Sequence, residues 1–141
     1  MIEPDPAGPA PAPTDQRFPQ ENRLLRRPLF LRVYESGQRA EGRYAVIFCL
    51  RRDDPGPWRV GMTATKRAGN SVARNRMRRR AREFFRRRRG QIPPGWDFVV
   101  NLKSAAGRAG FAHFERDLAR TMGRLGFAVS ETVEPPTEPK P

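Results

Sequence analysis

Cysteine and histidine are almost absent from this sequence: Cys49 and His113 are the single examples of each among 141 residues. A lone cysteine cannot form a disulfide within the chain, and one cysteine with one histidine cannot complete the usual four-ligand zinc site. Nucleophilic catalysis with a histidine base would depend on His113, which the periodicity of its segment places on a surface helix face. The sequence therefore predicts neither catalytic nor metal-binding residues.

Long hydrophobic runs and clustered carboxylates are missing as well. No apolar stretch approaches the roughly 18 residues needed to span a bilayer, and the N-terminus has no basic segment followed by an apolar one. The adjacent Asp53 and Asp54 precede a Pro-Gly-Pro turn and are typical of a loop. No acid cluster able to hold Mg²⁺ for nuclease chemistry is visible. These absences favour a cytoplasmic protein that does not span a membrane.

Positive charge is what the chain has in excess. The formal net charge is +13, which points first to nucleic acid as a partner and second to an anionic membrane surface. Residues 66–89 hold 12 of the 28 lysines and arginines, together with a single acid, Glu83. The length of the chain suits one domain with a modest core.

The basic segment is predicted to be an amphipathic helix that begins at about Ser71 and is capped by Asn70 or Ser71. Helical spacing brings together one apolar face, made of Ala73, Met77, Ala81, Phe84 and Phe85. The other side carries like charges four residues apart, each pair unfavourable by roughly 0.2–0.5 kcal/mol. Only Glu83 offsets them locally, toward Arg79 and Arg80. A solvated charged face normally mixes signs, so this pattern favours a polyanion as the missing counter-charge.

The remaining residues predict a small α+β domain over 18–129, between a Pro/Ala-rich tail at 1–17 and an acidic, Pro-rich tail at 130–141, both expected to be disordered. The other predicted elements are a helix at 26–34, strands at 43–50, 59–65 and 97–102, a last helix at 110–125, and a short extra strand near 38–42. The strands 43–50 and 59–65 are predicted to pair as an antiparallel hairpin, the second of them half-buried. The resulting order is α-β-β-β-α-β-α, a small sheet covered by helices.

The basic segment also contains a specific motif. Lys66-Arg67-Ala68-Gly69-Asn70-Ser71-Val72, followed by Arg74-Asn75-Arg76-Met77-Arg78-Arg79, resembles the signature of the bacterial ribonuclease P protein subunit. The resemblance extends over about residues 18–125 and includes Asp97-Phe98-Val99-Val100. It implies the fold of that family, a small mixed sheet packed against helices in a ribosomal-protein-like, two-layer arrangement. It also implies a left-handed crossover between two parallel strands joined by the central helix, against the usual right-handed rule.

In that family the protein is the non-catalytic subunit of an endoribonuclease. The resemblance implies that a large RNA subunit with bound Mg²⁺ hydrolyses a phosphodiester bond of precursor tRNA and releases the 5′ leader. The protein binds this catalytic RNA and holds the single-stranded leader, while Mg²⁺ is held mainly by RNA and substrate. Neither DNA nor a membrane is an expected partner. The implied RNA-binding residues are Lys66, Arg67, Asn70, Arg74, Asn75, Arg76, Arg78, Arg79 and Arg82, and the implied leader cleft, between the sheet and the first helix, contains Phe30, Tyr34 and Phe48.

Three other functions are compatible with parts of the pattern. A different structural RNA binder, such as a ribosomal protein, would use the same basic helix, although a duplex-binding protein does not need aromatic stacking. A DNA-binding helix-turn-helix would need a second helix a few residues upstream, where a strand and a glycine loop are predicted. A protein-only nuclease would need clustered carboxylates and histidines, and the chain shows no such cluster. For Phe30 and Phe48, ordinary core packing is the competing interpretation.

Overall fold

Residues 20–132, which the computed structural model describes, form three α-helices and four strands in the predicted order. They are α1 (Arg27–Ser36), β1 (Gln38–Glu41), β2 (Ala45–Arg51), β3 (Arg59–Ala64), α2 (Ser71–Arg87), β4 (Trp96–Leu102) and α3 (Phe111–Arg124). The extra strand predicted near 38–42 is present as β1. The predicted tail at 1–17 and most of the one at 130–141 lie outside the described residues.

The four strands of this region form one mixed sheet in the order β1-β2-β4-β3. β1 and β2 pair as an antiparallel hairpin, β2 pairs antiparallel with β4, and β3 pairs parallel with β4. The predicted hairpin between β2 and β3 is wrong, because β4 lies between them. Two backbone hydrogen bonds tie the β2–β3 loop to the turn before β4, from Arg52 N to Gly95 O (2.7 Å) and from Gly95 N to Gly56 O (2.8 Å). The β2–β3 loop therefore crosses the N-terminal end of β4, and β3 does not fold back onto β2.

Burial explains why β4 takes an inner position. Phe98 and Val100 face the apolar cluster beneath α2 and α3, whereas Val99 faces the second cluster, with Phe30 and Val33 of α1. A strand that is apolar on both faces loses most contact with water when it lies between two others. β3, which pairs parallel with β4, is connected to β4 through α2, as the resemblance implies. The left-handedness of this crossover stays a prediction.

Helices cover both faces of the sheet. α2 and α3 share one face, where they contribute Met77, Phe84, Phe85, Phe114, Leu118 and Met122 to the larger cluster. α1 covers part of the other face, where the Phe30 ring lies against Gly61 in a space that a Cβ atom would occupy. β3 is therefore buried on both faces from Val60 to Ala64, and the prediction of a half-buried strand is wrong. The predicted fold class, a small mixed sheet packed against helices, is confirmed.

α2 begins and packs as its sequence predicts. The Asn70 side chain accepts a hydrogen bond from Ala73 N (2.8 Å) and so caps the helix. Gly69 supplies the φ of 144° that the preceding turn requires. The buried residues of the helix are Met77, Ala81, Phe84 and Phe85, all from the predicted apolar face. Their burial fixes which side of α2 is turned toward solvent.

Candidate nucleic-acid interface

The residues that the family motif implies for RNA binding lie together at the start of α2, on a surface called here the basic face. It comprises Lys66 and Arg67 in the 3-10 turn before the helix, Asn70 at the cap, and Arg74, Asn75, Arg76, Arg78, Arg79 and Arg82 on the first turns of α2. Lys66, Arg67, Arg76 and Arg79 are exposed, while Arg74, Arg78 and Arg82 are partly buried. The basic face is thus built from one loop and one helix side.

Six cations of the basic face carry charge that no acid of the described residues compensates. Among residues 20–132, no carboxylate forms an ion pair with the cations Lys66, Arg67, Arg74, Arg76, Arg78 and Arg79. The local hydrogen bond from Arg78 Nη2 to Asn75 Oδ1 (2.8 Å) orients a guanidinium group without neutralising it. The positive end of the helix dipole lies at the same place. This surface is therefore suited to an external anion.

The second half of α2 is different, because Glu83 compensates its arginines. Glu83 Oε2 accepts hydrogen bonds from Arg86 Nη2 (2.6 Å) and Arg87 Nε (2.8 Å). Hydrogen bonding by Arg86 first, and also by Arg87, holds the pKa of Glu83 below its ordinary value. The predicted offset of Arg79 and Arg80 by Glu83 is wrong. Side chains of a helix point toward its N-terminus, so the arginines of the following turn reach back to this carboxylate.

Two further arginines of the basic segment hold neighbouring structure in place. Arg80 donates hydrogen bonds to the carbonyls of Ala106 and Ala109, in the segment that precedes α3. Arg88, at the C-terminal end of α2, is buried and donates to Glu115 of α3 across 2.8 Å. Burial lowers the pKa of Arg88, although the ion pair opposes the shift. Within α2, the cations without a carboxylate partner therefore lie toward the start of the helix.

A cleft lies between α1 and the sheet, next to the basic face. Its cavity of about 350 Å³ is lined by Arg27, Phe30, Leu31, Tyr34, Thr63, Thr65, Asn101 and Leu102. β3 ends at Ala64, and Thr65 leads directly into Lys66, the first residue of the basic face. The cavity and the basic face therefore adjoin along the chain.

Two of the three predicted cleft aromatics line this cavity. Phe30 is 3% exposed and contributes an apolar wall, and the Tyr34 hydroxyl donates a hydrogen bond to Asn101 Oδ1 (2.8 Å). Burial raises the pKa of Tyr34 above its ordinary value. Phe48 is not among the lining residues; its ring meets the Tyr34 ring edge-on, with 4.9 Å between centroids, and Arg39 lies over it. Phe48 therefore supports Tyr34 from outside the cavity.

Thr63 and Asn101 form the polar side of the cleft, and reasoning from the sequence missed both. Thr63 Oγ1 donates a hydrogen bond to Asn101 Oδ1 (2.7 Å), beside the one from Tyr34. The available signal was Asn101 itself, a polar amide in a largely apolar strand, where a buried polar group needs hydrogen-bond partners. Those partners come from β3 and α1, which the sequence alone did not place next to β4.

The described residues offer little for metal or covalent chemistry. Within 20–132, no three His, Cys, Asp or Glu side chains are grouped so that they could hold a metal ion. His113 is exposed on α3, and Cys49 is buried in the sheet, where burial raises the pKa of its thiol. No helix in the same part of the chain is long and apolar enough to cross a membrane.

The fold and the site together define a class of small α+β protein. In this class, a helix begins with cationic residues and no acids, and this helix start adjoins an aromatic cleft. A family model described as Ribonuclease P matches residues 18–126, and the chain belongs to this family of ribonuclease P proteins. The ribonuclease P protein component of Gluconacetobacter diazotrophicus is 38% identical over 111 residues, covering 78% of this chain and 96% of the relative. That of Citrifermentans bemidjiense is 35% identical over 112 residues, covering 79% and 95%. The resemblance carried by the basic motif is confirmed.

Solved structures of ribonuclease P proteins share the fold. The protein from Thermotoga maritima has a TM-score of 0.65 and 28% identity, over 72% of this chain and 96% of its own. The protein from Staphylococcus aureus has a TM-score of 0.71 over 76% and 97%, and at 22% identity this likeness concerns the fold alone.

Proposed function

We propose that this protein is the RNA-binding, non-catalytic subunit of ribonuclease P. The basic face binds the catalytic RNA, and the cleft holds the single-stranded 5′ leader of precursor tRNA. The RNA subunit hydrolyses the phosphodiester bond that releases the leader. The proposal places the protein in the cytoplasm with its RNA, and it rests on membership of the family together with the geometry of the two adjoining surfaces.

The observation that carries the proposal is the uncompensated charge of the basic face. Among the described residues, no carboxylate pairs with six of its cations, whereas Arg86, Arg87 and Arg88 have Glu83 or Glu115; the six are Lys66, Arg67, Arg74, Arg76, Arg78 and Arg79. A polyanion supplies the missing charge, and release of its counterions drives binding. Guanidinium groups form bidentate hydrogen bonds with phosphate oxygens, in the same geometry that they use for carboxylates.

The cleft suits an unpaired strand for a different reason. It combines the aromatic surfaces of Phe30 and Tyr34 with the polar groups of Thr63 and Asn101. Unpaired bases stack on aromatic rings and expose edges that can be hydrogen-bonded, whereas the bases of a duplex are already paired. A strand that leaves the cleft past Thr65 meets Lys66 at once. One protein can therefore hold the leader and the catalytic RNA close together.

The contribution of the protein to the reaction is electrostatic and positional. The protein places cations between the precursor tRNA and the catalytic RNA, and it holds the leader. Both effects lower the free-energy cost of bringing substrate and catalytic RNA together. Within the described region no three His, Cys, Asp or Glu side chains are grouped to hold a metal ion, and Glu83, Asp97 and Glu115 are each held by arginines. When bound to the RNA, Mg²⁺ supplies activation of water and stabilisation of the leaving oxygen.

The proposal is tested by multiple-turnover cleavage of a 5′-extended precursor tRNA at low Mg²⁺, using the RNA subunit from the same organism with and without this protein. Wild-type protein is expected to stimulate cleavage strongly. The double variant Arg74→Ala/Arg76→Ala is expected to lose most of the stimulation. The protein without RNA is expected to cleave nothing.

A charge-matched control separates specific contact from loss of net charge. Arg116→Ala/Arg120→Ala removes two cations from α3, where both lie near Glu131 in exposed pairs. This variant is expected to stimulate like wild type. Tight RNA binding without stimulation would favour a different structural RNA binder, and cleavage by the protein alone would favour a nuclease.

A further inference from the structure

A second cavity, called here the end cavity, lies at the other end of α2 from the basic face. Its volume is about 420 Å³, and the lining residues that decide its chemistry are Glu21, Asn22, Pro57, Trp58, Arg89 and Pro94. None of its lining residues also lines the cleft between α1 and the sheet. Because α2 is 17 residues long, roughly 25 Å separate the end cavity from the start of the helix.

Asn22 brings to the end cavity a hydrogen-bonding atom that the fold leaves unused. Its Nδ2 donates to the carbonyl of Trp58 across 2.7 Å, and this bond fixes the orientation of the amide. Asn22 is 3% exposed, and its Oδ1 has no hydrogen-bond partner within residues 20–132. Trp58 is held in turn, since its Nε1 donates to the carbonyl of Arg89 (3.2 Å). Buried carbonyl oxygens without a partner are rare and unfavourable, so this oriented acceptor is suited to a donor from a ligand.

Glu21 and Arg89 give the end cavity two opposite charges that do not neutralise each other. Both residues are exposed, and in the described part of the chain neither belongs to an ion pair. Pro57 and Pro94 add apolar surface and, because they lack a backbone N–H, no donor. The acceptors of Glu21 and Asn22 come from the turn before α1, whereas Arg89 follows the end of α2. A complementary ligand therefore carries adjacent hydrogen-bond donors at one end and an anion at the other.

We propose that the end cavity binds a guanine nucleotide. Guanine has two donors side by side on its Watson–Crick edge, N1–H and the 2-amino group, and these match the Glu21 carboxylate and Asn22 Oδ1. Adenine and cytosine alternate a donor with an acceptor along the same edge, and uracil has a single N–H between two carbonyls. The phosphate of the nucleotide pairs with Arg89. At about 420 Å³, the end cavity falls within the size range of small-molecule sites.

Binding requires the rim of the end cavity to open slightly, because Asn22 Oδ1 is buried. Glu21 lies in a short 3-10 turn and is held by no ion pair of the described region, and Gly90 is exposed with no heavy atom within 4 Å of its Cβ position. Both residues can therefore move without disturbing the core. The same recognition applies to a free nucleotide and to an unpaired guanine of a bound RNA. The site does not depend on the proposed function, since a free nucleotide needs only the protein.

The first experiment titrates the isotope-labelled full-length protein with nucleotides and follows the indole N–H signal of Trp58 by NMR, because this group donates to a carbonyl at the end cavity. The protein carries Arg74→Ala/Arg76→Ala, so that phosphate binding at the basic face contributes less. Guanosine monophosphate is expected to shift the signal and to bind at least about tenfold more tightly than adenosine, cytidine or inosine monophosphate, the last of which lacks only the 2-amino group. Equal binding of the four nucleotides, or a Trp58 signal that does not respond, overturns the proposal.

Three variants assign the contacts within the end cavity. Glu21→Gln replaces an acceptor by a donor and is expected to remove the preference for guanine, whereas the exposed Glu131→Gln is expected to retain it. Arg89→Ala is expected to weaken binding of guanosine monophosphate but not of guanosine, which has no phosphate. Gly90→Leu is expected to obstruct the cavity and abolish binding, and Gly123→Leu on α3, where the Cβ position is equally free, is the control. Binding of guanosine monophosphate that survives all three variants places the ligand elsewhere and overturns the proposal.

The last experiment separates the two sources of guanine by measuring the affinity of Glu21→Gln and Glu131→Gln for the catalytic RNA. Both variants remove one negative charge, so electrostatics alone strengthens RNA binding equally in both. A loss of RNA affinity in Glu21→Gln alone identifies an unpaired guanine of the RNA as the ligand. Equal RNA affinities, with binding of guanosine monophosphate lost in Glu21→Gln, identify a free nucleotide, and either result supports the site. If the protein binds guanosine monophosphate but does not stimulate cleavage by the RNA, the proposed function fails and the site stands.

Discussion

Arg88 Nη2 lies 2.8 Å from Glu115 Oε2, and the two side chains are 0% and 5% exposed. Arg88 also donates to the carbonyls of Phe84 and Ser130, and its guanidinium lies 4.1 Å from the centroid of the Phe84 ring. One side chain therefore joins the end of α2, the first half of α3 and the segment that follows α3. This arginine belongs to the protein's interior, although its sequence neighbours are the most basic in the chain.

Glu115→Gln is expected to lower the free energy of unfolding by about 3–5 kcal/mol, because it leaves the charge of Arg88 buried without its counter-ion. Chemical denaturation monitored by circular dichroism measures the free energy of unfolding. Glu131→Gln is the matched control, since its partners Arg116 and Arg120 are exposed, and a change below about 1 kcal/mol is expected there. Equal losses in the two variants would contradict the structural role of the buried pair.

Sulfate or phosphate is expected to raise the melting temperature of the free protein. An anion bound to the folded basic face stabilises it by mass action, because the unfolded chain does not hold those cations together. Differential scanning calorimetry over a series of sulfate concentrations measures the shift. The variant Arg74→Ala/Arg76→Ala is expected to show a smaller increase in melting temperature. A wild-type melting temperature that does not change with sulfate would contradict anion binding by the folded basic face.

Arg79→Ala is expected to weaken binding of the catalytic RNA and to reduce the slope of log affinity against log salt by roughly one unit, the value for one lost phosphate contact. Arg79 is exposed and has no acid partner in the described region. Filter binding at several salt concentrations gives the slope. Arg116→Ala removes the same charge from α3 and is expected to leave the slope unchanged; a fall of the same size there would mean that only net charge matters.

Gly61→Ala is expected to destabilise the protein by about 1–3 kcal/mol, because the added Cβ would collide with the Phe30 ring. The same displacement would reshape the cleft wall, so weaker leader binding is expected as well. Gly90→Ala is the control, since no heavy atom lies near its Cβ position and a change within about 0.5 kcal/mol is expected. Thermal unfolding of both variants measures the two changes in stability. A stable Gly61→Ala protein with unchanged leader binding would argue against the packing of Phe30 on Gly61.

Acid is expected to destabilise the β2–β3 loop only below about pH 4. The hydrogen bond from Arg52, followed by that from Gly56 N, lowers the pKa of Asp54 from 3.8 to about 2. A carboxyl whose folded pKa is depressed stabilises the fold above its unfolded pKa, and the effect is lost as pH falls through the folded value. Melting temperatures of wild type and Asp54→Asn should differ at neutral pH and converge near about pH 2. A constant difference throughout would exclude ionisation of Asp54 as the cause.

The sequence carried enough information to predict α2 but not the order of the strands. The start of α2 depends on Gly69 and Asn70, and its buried face on apolar residues three and four apart, so both are local properties. Pairing of β2 with β3 was the natural assumption for strands joined by a short loop. The actual order depends on the pairing of β4 with both β2 and β3, and β4 is distant from them in sequence.

The same distinction applies to the site. The motif indicated the basic face, but nothing local distinguished Arg78, which has no acid partner, from Arg88, which has one. The difference comes from Glu115, 27 residues further along the chain. Asn101 likewise obtains its orientation from Tyr34 and Thr63, 67 and 38 residues before it. Relationships of this length appear only once the fold is known.

The inner position of β4 has a consequence for synthesis of the chain. β3 has its ladder partner in β4, and 38 residues separate Ala64 from Leu102. At 5–20 residues per second, a ribosome needs roughly 2–8 s to cover that distance, and during this time the edge of β3 that will pair with β4 has no strand partner. The residues made in that interval include the arginines of α2. Their mutual repulsion opposes folding of the helix, and it also keeps neighbouring nascent chains apart while the sheet is incomplete.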